Sequence, residues 1–177
     1  MRRYDIIVIG AGAAGLNIAG FMNKAGFNVL LIERDRIGGA CLNTGCSPSK
    51  ALLHAAKLIS KGRQANRFGL RTTGQVSMKK VKDYINQTTE TIRAHENPDY
   101  LQAQGIALEI GEGRFIGKRQ VQVNHRQYTA KKIVIATGSR PRRLQGRYAK
   151  DMLTNEEIFY LDKVPRQLLI VGAGPIG

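Results

Sequence analysis

"YDIIVIGAGAAGLNIAGFMNKAGFNVLLIE", residues 4–33, decides the fold. Its first six residues form a β-type run, apolar throughout from Ile6, without the alternation that marks one wet face. Such a run suits a parallel strand buried on both sides. Gly10, Gly12 and Gly15 follow in GxGxxG spacing. An apolar helix is predicted over residues 13–25, closed by Gly26 at the C′ position. NVLLIE is a second buried strand, and it ends on Glu33, 23 residues after Gly10. Strand, glycine turn, helix, strand and terminal acid make a βαβ unit of about 30 residues, the arrangement that holds a dinucleotide.

Each glycine has a separate task. Gly10 permits the tight turn, Gly12 lets backbone approach a pyrophosphate, and Gly15 lets helix and strand pack closely. The phosphates then face the helix N-terminus, at Ala13 and Ala14, where N–H groups and the helix dipole favour negative charge. The Glu33 carboxylate can accept hydrogen bonds from both hydroxyls of an adenosine ribose, with Arg34 beside it. A glycine turn that only serves packing is the competing reading, and the completeness of the unit weighs against it.

The rest of the chain reads as follows. Pro48 is expected as the first residue of a helix that runs through SKALLHAAKLISK and stops at Gly62, with a loop over residues 63–76. A long helix over 78–96 turns Val81, Ile85, Thr88 and Ile92 to one side, and Pro98 breaks it. IALEI, GRFI, VQVN, YTA and KIVIAT are short β runs that suggest one sheet strand, a small meander and a return strand. GSRPRRLQGR is a loop, TNEEIFYL a short capped helix, and QLLIV a further buried strand before a second GxGxxG at Gly172, Gly174 and Gly177.

The chain has 177 residues, 42% of them apolar, and a formal charge of +15 from 28 basic and 13 acidic residues. That balance admits an anionic partner, but the basic residues are spread along the chain and few aromatics interleave with them. A solvated basic surface is the better reading, with no nucleic acid partner. No apolar run reaches the roughly 20 residues that span a bilayer, and Asp5 and Asn17 interrupt the N-terminal one. A cytoplasmic protein without a membrane partner is expected. A reducing cytosol disfavours a structural disulfide, so a cysteine pair there leans towards catalysis or metal.

The two cysteines stand five apart in GGACLNTGCSPSK, residues 38–50. Two buried thiols or half of a metal site are the plain alternatives, but His54, the nearest further ligand type on the helix, lies eight residues beyond Cys46 and no second pair exists. No metal site is expected. The segment resembles GGTCxNxGCxPSK, the redox-active stretch of the pyridine nucleotide-disulfide oxidoreductases, flavoproteins that include glutathione reductase, dihydrolipoamide dehydrogenase and mercuric reductase. Ala40 replaces the usual Thr, and Ser47 a usual apolar residue. IVIATGSRP resembles the segment that closes that family's FAD domain, and the last 25 residues resemble its entry into the NAD(P) domain. AHENPDYLQAQGIALEIGEGRF is most similar to mercuric-reductase-like members.

The resemblance implies an α/β, Rossmann-like FAD-binding domain: a parallel sheet with helices and a small β-meander, followed by the first strand of a second, NAD(P)-binding domain. It implies boundaries at 1–145 for the FAD part, 146–166 for a linker and 167–177 for the start of the second domain. It implies FAD and NAD(P)H as cofactors, a homodimer, and electron flow through a Cys41–Cys46 disulfide to a small disulfide or metal-thiolate acceptor. Cys46 would face the flavin, Cys41 would exchange with substrate, and Lys50, four residues past Cys46, would support charge near the flavin N5. The thiolate of Cys46 is favoured by its place near a helix N-terminus. Gly38, Gly39, Ala40 and Cys41 would line the cofactor, with Gly113, Ala136, Thr137, Gly138 and Ser139, and the second glycine turn would take NAD(P)H. Pro175 stands where several members carry a Tyr that covers the flavin. His54, His95, His125 and the basic run Arg140–Arg147 are expected to be solvated. The chain stops straight after the second glycine turn, before any helix to hold a pyrophosphate, so a fragment of a longer protein, itself inactive, is expected. A flavin- or nucleotide-binding module without thiol chemistry is the alternative.

Overall fold

A computed structural model describes residues 1–174 and 176–177; Pro175 and its suggested role lie outside the described residues. The chain forms two compact units, Met1–Asn43 with Thr89–Arg140, and Thr44–Thr88 with Pro141–Gly177.

The first unit is built on β1 (Arg2–Ile9), α1 (Ala13–Lys24) and β2 (Val29–Glu33), as the opening sequence requires. Gly26, at φ +85°, ends α1 in the left-handed region that favours glycine. A six-stranded sheet has the order β3-β2-β1-β6-β5-β4, where β3 is Ala107–Ile110, β4 Gly113–Gly117, β5 Gln120–Val123 and β6 Arg126–Ile135. β3, β2, β1 and β6 run parallel, and β6, β5 and β4 antiparallel. The runs YTA and KIVIAT are thus one strand rather than two. β6 serves as the last rung of the meander at Arg126–Thr129 and as the partner of β1 from Tyr128 to Ile135.

The apolar run of β1 divides by parity. Ile6 and Val8 join Val29, Leu31 and Ala19 of α1 on one side, with Leu101 and Ile106. Ile7 and Ile9 join Leu30, Ile32, Val121, Val123, Tyr128 and Ala130 on the other. Burial on both faces is why the sequence shows no alternation there. At the rim of the second cluster the Tyr128 hydroxyl donates a short hydrogen bond to Glu109 Oε1, and Arg126 Nη1 reaches the same oxygen at 3.0 Å.

Between β2 and β3 the chain forms α2 (Gly39–Thr44), α3 (Cys46–Gln64), α4 (Met78–Arg93) and α5 (Pro98–Ala103). α3 starts two residues before Pro48, which sits in its first turn, where a missing N–H costs nothing. It also runs past Gly62 and continues into a 3₁₀ turn, Ala65–Phe68, capped by Gly69 at φ +86°. α4 ends at Arg93, and its buried side is Val81, Ile85 and Thr89; Ile92 is exposed. Pro98 opens α5 rather than merely ending α4: the Asn97 side chain caps it by accepting from the Tyr100 N–H at 2.8 Å.

The second unit has a small core, Ala51, Val81 and Ile85 with Leu52, Ala55, Val76 and Met78 around them. Lys82 pairs with Asp162 at 2.5 Å, and Asn155 Nδ2 donates to the Thr44 carbonyl at 2.9 Å. TNEEIFYL forms a 3₁₀ turn, Ile158–Tyr160, behind a capping box in which the Glu157 carboxylate accepts from Thr154 N–H (2.7 Å) and Oγ1 (2.6 Å). QLLIV departs from expectation. Residues 168–171 join no strand, and Leu169 is 88% exposed. A strand needs a neighbour for its backbone groups, and no strand among the described residues pairs with this one.

Candidate cofactor site

The parallel register sets Ile9 beside Ile32 and Ile135, so the chain after β1, β2 and β6 leaves the sheet at one level. Ligands of open α/β sheets bind at this carboxyl end. Gly10 has φ +103°, and a Cβ there would collide with the Ala136 carbonyl oxygen. Gly15 lies so close under the turn that a Cβ would overlap the Gly10 oxygen. Both positions need glycine for packing. Gly12 caps α1 with no side-chain hydrogen bond, and no acid stands in the first turn. The exposed N-terminus at Ala13 and Ala14 therefore keeps its positive dipole end for an anion.

Glu33 lies against this turn. Its Oε2 accepts from the Ala11 N–H at 2.7 Å and its Oε1 from the Asp35 N–H at 2.8 Å. Each oxygen retains a second acceptor position, so the carboxylate is aimed by backbone and still able to take hydroxyl donors. Arg34 is exposed beside it.

Gly38 and Gly39 pack on the first glycine turn. The Gly38 N–H donates to the Ala11 carbonyl at 2.8 Å, and Gly12 and Gly38 form a parallel bridge. Both glycines have positive φ, +89° and +53°. A Cβ on Gly39 would stand 2.7 Å from Gly12 Cα. Asn43, 7% exposed, ties this turn from within: Nδ2 donates to the Ile37 carbonyl (3.1 Å) and the Gly39 carbonyl (2.8 Å). Arg93 Nη2 donates to Asn43 Oδ1 at 3.1 Å. Glu96 also lies here, its Oε2 3.0 Å from the position a Cβ on Gly38 would take. Burial pushes the Glu96 carboxyl up, against the weaker pull of Arg93.

Ala40 is exposed and Cys41 half-buried on α2; Cys46 and Lys50 are exposed at the start of α3, in the second unit. Gly113 stands over Ile9, Ile32 and Val121, with methyl groups 3.4–3.5 Å from where its Cβ would be. The Ala136 N–H donates to the Ile9 carbonyl at 2.8 Å, and Thr137, Gly138 (φ +68°) and Ser139 continue exposed from it. The first unit thus gathers Gly10, Gly12, Ala13, Ala14, Gly15, Glu33, Gly38, Gly39 and Ala136. In the second, Gly172 has φ +122°, and a Cβ on Gly177 would come 2.6 Å from its oxygen, the relation that Gly15 bears to Gly10; Gly174 is open.

His54, His95 and His125 are exposed, the first two against Tyr84 and Tyr100. Within the basic run Arg143 pairs with Glu157. Among the described residues no group of three His, Cys, Asp or Glu could hold a metal, and no helix is long and apolar enough to cross a membrane. Sequence reasoning missed Asn43 and Arg93. Asn43 lay inside the cysteine motif with no role assigned, and nothing in the spacing joins it to a residue 50 positions away.

A glycine turn at the carboxyl end of a parallel sheet, packed against the start of a cysteine-bearing helix, is an arrangement typical of dinucleotide-binding redox proteins. The family model for pyridine nucleotide-disulphide oxidoreductases matches residues 4–177. The chain belongs to that family, whose members use FAD and NAD(P)H. It is 34% identical over 179 residues to a dihydrolipoyl dehydrogenase of Thermus scotoductus, covering 100% of this chain and 39% of that one. It is 33% identical over 177 residues to a mercuric reductase of Lysinibacillus sphaericus (98% and 32%). A third relative, dihydrolipoyl dehydrogenase 3 of Pseudomonas aeruginosa, is 38% identical over 187 residues (100% and 40%). The chain spans two fifths or less of the length of these relatives.

Proposed function

We propose that the full-length protein is an FAD-dependent oxidoreductase that passes electrons from NAD(P)H to a small disulfide or a thiol-bound metal through Cys41 and Cys46. The observation that carries this reading is the backbone contact of Gly39 with Gly12, which joins the phosphate turn to the helix bearing Cys41. When bound, FAD would supply hydride acceptance from NAD(P)H and electron transfer to a disulfide, which is thereby reduced to a dithiol. This chain's residues supply the rest. The N-terminus of α1 takes the pyrophosphate charge. Glu33, fixed by two backbone N–H groups, orients the ribose. Gly113 and Ala136–Ser139 flank the nucleotide. Cys41 and Cys46 form the reducible disulfide, with Cys41 exchanging and Cys46, at the start of α3, on the flavin side. Lys50 offers positive charge one turn further on.

We infer that residues 1–145 are the N-terminal part of the FAD domain, 146–166 a linker, and 167–177 the opening of an NAD(P) domain. The glycine packing of Gly172 with Gly177 and the apolar, unpaired 168–171 support this. A cytoplasmic homodimer fits the same reading. Relatives named for dihydrolipoyl and for mercuric substrates motivate both acceptor classes.

The test is purification of the full-length protein and its Glu33→Ala variant, with NAD(P)H oxidation followed against lipoamide, another small disulfide, and Hg(II) held by thiols. A yellow protein that turns over one acceptor is expected. Glu33→Ala should weaken FAD by about 10- to 100-fold, the size of hydrogen bonds to a charged group. A colourless protein that takes up no FAD overturns the reading. FAD binding without turnover of any disulfide or metal acceptor replaces it with a flavin-binding module.

A further inference from the structure

We propose that Arg93 is a positioning residue for the cofactor cradle and for Cys41, and that it acts through the side-chain amide of Asn43. The inference rests on the FAD reading above. Arg93 ends α4, far in sequence from either glycine turn. Its backbone is fixed: Asn97 Nδ2 donates to the Arg93 carbonyl at 3.2 Å and to the Ala94 carbonyl at 2.9 Å. Its side chain is mostly buried, and its Nε is held by Glu90 at 3.0 Å. The remaining reach of the guanidinium ends on Asn43 Oδ1.

The amide orientation follows from chemistry. Two carbonyls and one guanidinium are among the partners of the Asn43 amide. Only Nδ2 can face the carbonyls and only Oδ1 the guanidinium; the reverse would oppose acceptor to acceptor and donor to donor. A charged donor on Oδ1 polarises the amide and strengthens the two bonds that Nδ2 makes. Those bonds end on Ile37 and Gly39, the residues on either side of Gly38. Gly38 and Gly39 in turn meet Ala11 and Gly12. Cys41 sits on the same short helix, two residues before Asn43. One guanidinium therefore sets both how closely the second glycine pair approaches the phosphate turn and how firmly the Cys41 helix is seated. Binding and exchange geometry are sensitive to such small displacements.

The experiment uses the full-length protein as wild type, Arg93→Met, Arg93→Lys and Asn43→Asp. FAD affinity is read from the recovery of flavin fluorescence on dilution. After reduction, the alkylation rates of Cys41 and Cys46 by iodoacetamide are read separately by peptide mass, with and without FAD. Arg93→Met should weaken FAD at least tenfold and raise the Cys41 rate at least threefold, with Cys46 changed less than twofold. Arg93→Lys, which keeps a charged donor, should recover part of both effects. Asn43→Asp keeps an acceptor for Arg93 but cannot donate to Ile37 and Gly39, so it should behave like Arg93→Met. Wild-type FAD affinity and Cys41 rate in Arg93→Met overturn the proposal. So does equal acceleration of both cysteines without recovery in Arg93→Lys, which marks a purely structural role. If Arg93→Met does not fold, wild-type behaviour of Asn43→Asp overturns it instead. A wild type that binds no FAD refutes the cofactor reading alone, because the Cys41 rates are still compared without FAD.

Discussion

Gly12 and Gly39 meet backbone to backbone, so closely that a side chain on Gly39 would press its Cβ to within 2.7 Å of Gly12 Cα. Two segments 27 positions apart meet there, and at Gly39 the contact leaves no room for a side chain. Positive φ at Gly39 adds a second constraint.

Gly39→Ala should therefore cost about 1–3 kcal/mol from the left-handed backbone alone, with the steric clash in addition. Thermal unfolding of the full-length protein should show a clear fall in Tm, and FAD should be lost during gel filtration. Gly74→Ala, also at positive φ but with nothing within 4 Å of its Cβ, should lower Tm and leave FAD retention intact. Equal FAD retention by both variants would separate the contact from cofactor binding.

The two cysteines should be distinguishable by colour. With FAD bound, Cys41→Ser keeps the sulfur proposed to face the flavin and should give a long-wavelength absorption band. Cys46→Ser should lack it. The reverse pattern exchanges the two roles, and equal acceptor turnover by both variants rules out the disulfide route.

Acid should act on Glu109. Burial pushes its carboxyl up, but hydrogen bonds from Tyr128 and Arg126 outweigh this and hold it below the ordinary value of 4.5. A lowered folded pKa means that its stabilisation is complete above 4.5 and is lost as pH falls from there through the folded value. Tyr128→Phe should cost about 1.5–3 kcal/mol at neutral pH, the worth of a hydrogen bond to a charged group. The difference from wild type in urea unfolding should shrink below pH 4.5; a constant difference would place the effect in packing instead.

Leu169→Lys separates the two lives of the apolar run 168–171. In the 177-residue chain Leu169 is 88% exposed, so stability should change by less than about 0.5 kcal/mol. In the full-length protein the same substitution should lower Tm markedly, because these residues would pair as a strand of the second domain. An unchanged full-length Tm argues against that domain assignment.

The βαβ unit was legible because both of its periods are local: an unbroken apolar strand, a glycine turn, and an acid at a fixed remove. The hairpin strands were legible too, but not the continuity of β6, which depends on two different neighbours. The buried side of α4 was misread at its C-terminal end. Thr89 lies inward and Ile92 outward, which the apolar spacing alone does not show. QLLIV has the composition of a strand, and composition cannot say whether a neighbour is within reach. At the site, the glycines and Glu33 announced themselves by spacing. The Arg93–Asn43 link joins positions 50 apart and leaves no periodic trace.

The double pairing of β6 also sets an order of assembly. Every residue of β1 that pairs with β6 does so with a partner 126 positions later, from Arg2 with Tyr128 to Ile9 with Ile135. During synthesis at about 5–20 residues per second, β1 waits on the order of ten seconds for that partner. In the interval β2 can cover only one edge, and Ile6 to Ile9 present the other. The nascent chain is then most exposed to mispairing at its first eight-residue strand, and closure of the sheet is a late, long-range event rather than growth outward from the N-terminus.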